Sequence, residues 1–338
     1  MVSHFSHVNN SLAIGRRIEL DLKYHRMCLM NPFFHAAGVT ASIGSCVSYG
    51  STVVLPSATY SPPDNLTTTV KEKCSIIHGT PTMHLDLITE QEKRGENISP
   101  EIALFGGSPI SPHQLETMLK VLKVKKLKNV YGQTEATCMI FSSKPGEDME
   151  KSINSVGCLS DHTEAKIVDS DGNVVPFGTP GELYVRGYQN MIGYWEDADK
   201  TEATLGNDGW LKTGDRFILT EDGYGKIVGR NKDMIIRGGE NIFPKEVEDV
   251  LITHPKIAEV SVIGLPHERL GEQICACVTL KENYELNLQE LSNFCKGKMA
   301  HFKVPSQLKV LKSLPKTASG KIQKYVLVKQ YSENISIK

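Results

Sequence analysis

Short apolar runs alternate with helical periodicity from Met1 to Asn129, and that alternation restricts the chain to layered α/β folds. Residues 52–55, 74–77 and 102–105 read as strands, and residues 115–123 repeat their apolar positions with a helical period. From Ala165 to Gly229 the pattern changes. Asp171-Gly172, Pro180-Gly181 and Asp222-Gly223 mark turns between alternating runs such as 182–186 and 224–228, which predicts hairpins closing into a small β-barrel or sandwich. After Asp233 the alternation returns. The reading is a helix over 244–253, strands over 259–264 and 274–280, a helix over 288–299, a strand over 307–311 and a helix over 322–331. The expected fold class is therefore α/β in two domains. Residues 1–231 would form a larger domain of α/β layers plus the small barrel, and residues 232–338 a small mobile α/β domain.

The junction, G-R-N-K-D-M-I-I-R-G-G-E-N-I-F-P (229–244), concentrates charge and glycine. A β-branched strand runs into a Gly-Gly turn that can bring bare backbone to a ligand, and Pro244 opens an amphipathic helix.

Charge excludes one class of function. The 338 residues carry 38 Lys plus Arg and 39 Asp plus Glu, a formal net charge of −1, without the basic face that nucleic acid requires. The locally basic run Lys120-Val-Leu-Lys-Val-Lys-Lys-Leu-Lys128 reads as the solvated face of a helix leading into a strand. Eight cysteines occur without a C-x-x-C or a Cys/His cluster of metal spacing, so buried free thiols in a reducing compartment are expected, with Cys275 and Cys277 on one face of a strand. No apolar run is long enough to predict a membrane span, and the first residues lack the apolar core of a secretory signal.

Familiar catalytic signatures are missing. The sequence contains no G-x-G-x-x-G, G-x-S-x-G or H-E-x-x-H. Ser319-Gly320-Lys321 ends like a P-loop, but Pro315 stands where that motif has its first glycine and Ile322 where it has Ser or Thr. What the chain does have is an ordered series. Asn31-Pro-Phe-Phe-His35-Ala-Ala-Gly38 is followed by Gly79-Thr-Pro-Thr82, Gly106-Gly-Ser-Pro109 and Tyr131-Gly-Gln-Thr-Glu135. Gly181-Glu-Leu-Tyr-Val-Arg-Gly187, Gly209-Trp-Leu-Lys-Thr-Gly-Asp215, Gly229-Arg230 and Pro315-Lys-Thr-Ala-Ser-Gly-Lys321 complete it.

This series resembles the adenylate-forming superfamily of acyl-CoA synthetases, firefly luciferase and peptide-synthetase adenylation domains, over essentially the whole chain. Within it, stretches such as K-I-V-G-R-N-K-D-M-I-I-R-G-G-E-N-I-F-P look most like the medium-chain acyl-CoA ligases. The resemblance implies ATP and CoA as cosubstrates, Mg²⁺ as cofactor and a fatty acid as substrate, with no nucleic-acid partner. It also implies a mitochondrial location; from the first residues no targeting segment is expected in this chain, and the expectation is otherwise cytoplasmic.

Roles follow from the same resemblance. Asp215 and Arg230 would hold the ribose of ATP, a carboxylate accepting from its hydroxyls. Tyr131 would stack on adenine, with Gly107, Ser108, Gly132 and Gln133 lining the nucleotide. Thr134 and Glu135 would face phosphate, with Glu135 as the Mg²⁺ carboxylate. Lys321 would stabilise the charge that develops as carboxylate attacks the α-phosphate. His35, Gly79 and Thr80 would line the acyl pocket. The family rotates its C-terminal domain between half-reactions, so Lys232 would be the hinge, and Gly238, Gly239 and Glu240 the wall of the CoA tunnel.

One departure stands beside the match. The family's Gly/Ser/Thr-rich phosphate loop ends in P-K-G, and Val2-Ser3-His4 aligns just after it. The expectation is a chain that begins downstream of that loop. This keeps open two alternatives: a nucleotide-binding pseudoenzyme without turnover, and an adenylating enzyme with an acceptor other than CoA.

Overall fold

The computed structural model describes residues 1–108 and 110–332. The chain divides into two compact units, one of Met1–Thr213 with Phe217–Ile227, the other of Gly214–Arg216 with Val228 onward.

The first unit is built on seven strands: β1 (Arg26–Leu29), β2 (Thr52–Val54), β3 (Ile76–Gly79), β4 (Ile102–Gly106), β5 (Lys126–Tyr131), β6 (Phe141–Ser142) and β7 (Cys158–Leu159). They lie in the order β2-β1-β3-β4-β5-β6-β7, parallel through β5 and antiparallel for the last two steps. Both faces of the parallel part are buried, as such sheets require. Cys28, Ile77, Ala103, Phe105 and Leu127 face one apolar cluster, with Leu66, Met83, Leu87 and Met118 from the covering helices. Met27, Ile76, Ile102, Leu104 and Val130 face another, with Ile14 from the helix His4–Arg17.

Three of the crossover helices begin alike. Pro62–Lys71, Pro81–Arg94 and Pro112–Leu122 each place proline in the first turn behind a Ser or Thr cap. Proline loses no bond there because that N–H has no helical partner, and the cap hydroxyl accepts from one of the remaining orphan N–H groups. A π-helix, Ala37–Gly44, follows the loop after β1.

The hairpin region supplies β8 (Thr163–Val168), β9 (Gly181–Gly187), β10 (Leu211–Leu219) and β11 (Gly225–Arg230), side by side in sequence order. Tyr224, just before β11, bridges to Cys158, tying this sheet to the end of the first. The turn expected at Pro180-Gly181 falls earlier. Gly178 takes the positive φ of 82° there, and Gly181 already belongs to β9.

In the second unit, β12 (Ile235–Arg237), β13 (Glu240–Ile242), β14 (Ile257–His267), β15 (Gly271–Leu280) and β16 (Gln307–Val310) form one sheet with a largely antiparallel ladder. Val262, Ile274, Ala276 and Val278 pack on one face, and Ile263, Leu265, Cys275 and Cys277 on the other. All eight cysteines are free and buried. The helix expected over 288–299 stops at Cys295, and Gly297 follows with a positive φ of 74°. Among the described residues, no helix is long and apolar enough to cross a membrane.

The basic run departs from its expected solvated reading. Lys128 lies on β5 with only 3% of its side chain exposed, paired at 3.1 Å with Glu19, itself 6% exposed. Its ammonium also donates to the Lys144 carbonyl at 2.6 Å. A charge placed inside a sheet needs such partners.

Candidate active site

Four of the sequence motifs leave the carboxyl ends of parallel strands. Asn31 to Gly38 follows β1, Gly79-Thr80 ends β3, Gly106 to Ser108 ends β4, and Tyr131 to Glu135 ends β5. Pro109 lies outside the described residues. The strand order 2-1-3-4-5 reverses direction at β1/β3, and open α/β sheets bind ligands in the crevice beyond their carboxyl ends at such a point.

Backbone proximity explains two glycines here. A Cβ at Gly106 would fall 2.1 Å from the Val130 carbonyl oxygen, and one at Gly132 would fall 1.8 Å from that of Cys138. Gly107 is different, with open space around it but a φ of 84°. The chain turns tightly after β5. Gln133 leads into a 3₁₀ turn, Thr134–Ala136, and Thr137 and Cys138 follow at φ of 50° and 92°. Non-glycine residues rarely hold that conformation unless their surroundings enforce it. Here the Thr137 hydroxyl is anchored on the Gln189 carbonyl at 2.6 Å.

That turn presents Thr134 to solvent and aims Glu135 at Tyr194, whose hydroxyl donates to the carboxylate at 2.8 Å. Burial, and then the carboxylate, raise the pKa of the Tyr194 phenol. Tyr194 is 59 residues away in sequence and no spacing pattern pointed to it. Among the described residues no group of three or more His, Cys, Asp or Glu gathers as a metal cage. A single carboxylate beside an exposed hydroxyl fits Mg²⁺, which keeps several waters and binds through substrate phosphates. The Tyr131 ring is 6% exposed, with ring centroids 5.3 Å from Phe217 and 6.1 Å from Phe141. It is as much a core residue as a ligand platform.

At the β1 and β3 ends, His35 is half-buried and its Nδ1 accepts from the Ala37 N–H at 3.2 Å. Thr80 caps the helix Pro81–Arg94, and a Cβ at Gly79 would meet Met30 at 2.6 Å. Two histidines without an expected role lie beside them. His78 Nδ1 is 2.5 Å from the Ser42 hydroxyl on the π-helix, and His84 Nδ1 is 3.0 Å from the Thr80 carbonyl. Burial holds their pKa values down, at about 3 for His78 and about 4 for His84, so both rings are neutral near pH 7. A histidine interrupting the apolar run I-I-H-G was the available signal for His78.

The second unit gathers a separate set. Arg230 Nε donates to the Asp215 carboxylate at 2.8 Å, with the Asp215 side chain 3% exposed. The Pro315 to Lys321 segment is a tight hairpin. Lys316 and Ile322 bridge, Thr317 N–H donates to the Lys321 carbonyl at 2.8 Å, and Gly320 takes a φ of 79°. Lys321 as a residue is exposed, yet desolvation of its ammonium and the Arg230 guanidinium lower its pKa, against the pull of Asp215. Lys232 stands exposed in the 3₁₀ turn Asn231–Asp233. Gly238 and Gly239, at φ of 60° and 87°, form the two-residue turn joining Arg237 to its partner Glu240, and all three turn-side residues are exposed.

Comparison with known proteins matches this arrangement to one family. Residues 1–195 match the model of the AMP-binding enzyme, and residues 246–321 that of the AMP-binding enzyme C-terminal domain. The medium-chain acyl-CoA ligase ACSF2, mitochondrial, of Danio rerio is 41% identical over 99% of this chain and 56% of its own length. The chain thus spans about half the length of that curated relative. The o-succinylbenzoate CoA synthetase MenE of Bacillus subtilis, in complex with its acyl-adenylate intermediate, is 33% identical with a TM-score of 0.81, covering 96% of this chain and 64% of the other. The same synthetase in complex with ATP and magnesium ion is 32% identical with a TM-score of 0.80, covering 95% and 65%. A family model that spans more than half the sequence, a second that matches the C-terminal region and the agreement of fold together establish that this chain belongs to the AMP-binding enzyme family.

Proposed function

We propose that the chain serves as an acyl-CoA ligase that activates a fatty, medium-chain carboxylate with ATP and passes the acyl group to CoA. In the first half-reaction a carboxylate oxygen attacks the α-phosphorus, the bond to pyrophosphate breaks, and acyl-AMP forms. In the second, the CoA sulfur attacks the acyl carbonyl, its proton is lost to solvent, and AMP departs. The observation that carries the reading is the placement of four motif loops at the carboxyl ends of β1, β3, β4 and β5.

Each candidate residue has a role in this scheme. Tyr131, Gly107, Ser108, Gly132 and Gln133 bind the base side of the nucleotide. Asp215 and Arg230 bind its ribose, supported by their ion pair. Lys321, close enough to that pair for its pKa to respond to both charges, carries cationic stabilisation of the adenylation transition state. Thr134 and Glu135 orient phosphate, and Glu135 would hold Mg²⁺, whose charge offsets that of the phosphates when bound. His35, Gly79 and Thr80 line the acyl site, and Gly238, Gly239 and Glu240 the path of CoA. Residues 1–231 act as the adenylation domain and 232–338 as the C-terminal domain, pivoting at Lys232. A mitochondrial location is carried over from the zebrafish relative, a mitochondrial medium-chain acyl-CoA ligase.

The test is a two-part assay on purified protein. Carboxylate-dependent pyrophosphate release from ATP, with octanoate as the probe, reports the first half, and CoA-dependent AMP release reports the second. Both are expected. ATP binding without pyrophosphate release would replace the ligase with a nucleotide-binding module, and pyrophosphate release that CoA never completes would point to another acceptor.

A further inference from the structure

We propose that the acyl site reads a hydroxyl group on its carboxylic-acid substrate, with Asn31 as the residue that binds it. This rests on the acyl-ligase reading above. Asn31 follows β1 at its carboxyl end and is 5% exposed, and neither its side-chain nitrogen nor its side-chain oxygen has a hydrogen-bond partner in the protein. A buried amide in that state has lost its hydration with nothing in return, which folding alone gives no reason to retain.

Its position points to a ligand. Asn31 lies at β1/β3, where the strand order reverses. The pairing of the two strands continues to its doorstep, with Met30 N–H donating to the His78 carbonyl at 3.0 Å. Two residues before it, β1 ends, and that strand's Met27 belongs to the cluster packed on the π-helix. His78 meets Ser42 of that π-helix at 2.5 Å. Helices of this rare type recur at functional sites.

The surroundings set the chemistry. His78 is buried and neutral, so the wall offers polarity without charge. An uncharged amide with donor and acceptor both unspent complements a neutral group that can donate and accept, and a hydroxyl is the smallest. An unsubstituted alkyl chain would leave both amide atoms unpaired, the situation in which a polar site rejects an analogue most strongly.

The experiment compares octanoate with the series of monohydroxyoctanoates by isothermal calorimetry on the wild type and Asn31→Leu. One positional isomer is expected to bind the wild type at least about tenfold tighter than octanoate, the worth of one good hydrogen bond. In Asn31→Leu that preference disappears while octanoate binding persists, and the melting temperature rises because the orphaned amide is gone. Should Asn31→Leu not fold, Asn31→Ala makes the same comparison, removing both amide atoms. No preferred isomer in the wild type, or a preference that survives in the variant, overturns the proposal and leaves the ligase reading standing. If the wild type binds no member of the series, the acyl-site reading falls and the proposal with it.

Discussion

Gly132 and Gly107 are the same residue for different reasons, and the difference can be measured. At Gly132 the missing side chain makes room, since a methyl group would land 1.8 Å from the Cys138 carbonyl oxygen. At Gly107 nothing stands within 4 Å, and the glycine supplies only a φ of 84°. Gly132→Ala must move the turn that holds Thr134 and Glu135, so it is expected to cost more than about 3 kcal/mol, at the upper end of overpacking. Gly107→Ala is expected to cost about 1 kcal/mol, the penalty of a left-handed backbone alone. Urea midpoints of the two variants decide it, and equal losses would mean that the Gly132 turn yields freely. Sequence alone marked both as site glycines. It could not separate them, because the difference lies in a carbonyl six residues further on that the fold brings back.

At the scale of elements, strand β3 carries a liability to acid. His78 is its third residue, and His84 sits one turn into the helix that follows. Both have pKa values depressed by burial from 6.5, to about 3 and about 4. Below pH 6.5 the unfolded chain takes up protons that the folded rings refuse. The contribution of these two rings to stability is therefore constant above pH 6.5 and falls as pH drops from there toward about 4. Each histidine contributes a slope of up to about 1.4 kcal/mol per pH unit. Buried His25 and His254, also depressed, act in the same direction. His78→Gln is expected to flatten the fall in urea midpoint between pH 7 and 5 without steepening it anywhere, whereas an unchanged slope would mean His78 protonates as readily folded as unfolded. The elements themselves were largely legible. Alternation of apolar runs, Ser-Pro and Thr-Pro helix starts and Asp-Gly turns are local signals. What stayed hidden needed partners from elsewhere. Lys128 read as solvated because Glu19, its partner at 3.1 Å, lies 109 residues upstream, and Asn31 read as one letter of a motif because its lack of partners is a property of the folded interior.

For the whole molecule, the proposed scheme asks one chain to run two reactions with different residues, and that demand makes opposite predictions for two lysines. Lys321 is assigned to the first half only, where negative charge accumulates between carboxylate and phosphate. Losing its ammonium removes stabilisation that a rigid site cannot replace, and mutations of this kind cost about 10² to 10³ in rate. Lys321→Ala should therefore suppress pyrophosphate release by that factor while thioester formation from supplied acyl-adenylate changes little. Lys232 touches no reacting group in this scheme. Its part is to let the backbone of the turn Asn231–Asp233 change conformation between the halves. Lys232→Pro fixes φ near −65° and removes an N–H, so one of two required conformations becomes unreachable. The expected result is the mirror image, with adenylate formed at a near-normal rate and then stranded. Single-turnover measurement of each half, with both variants melting within a few degrees of the wild type, separates the assignments. If either lysine variant loses both halves equally, residues 232–338 do not alternate between two catalytic roles, and the pivot at Lys232 is wrong.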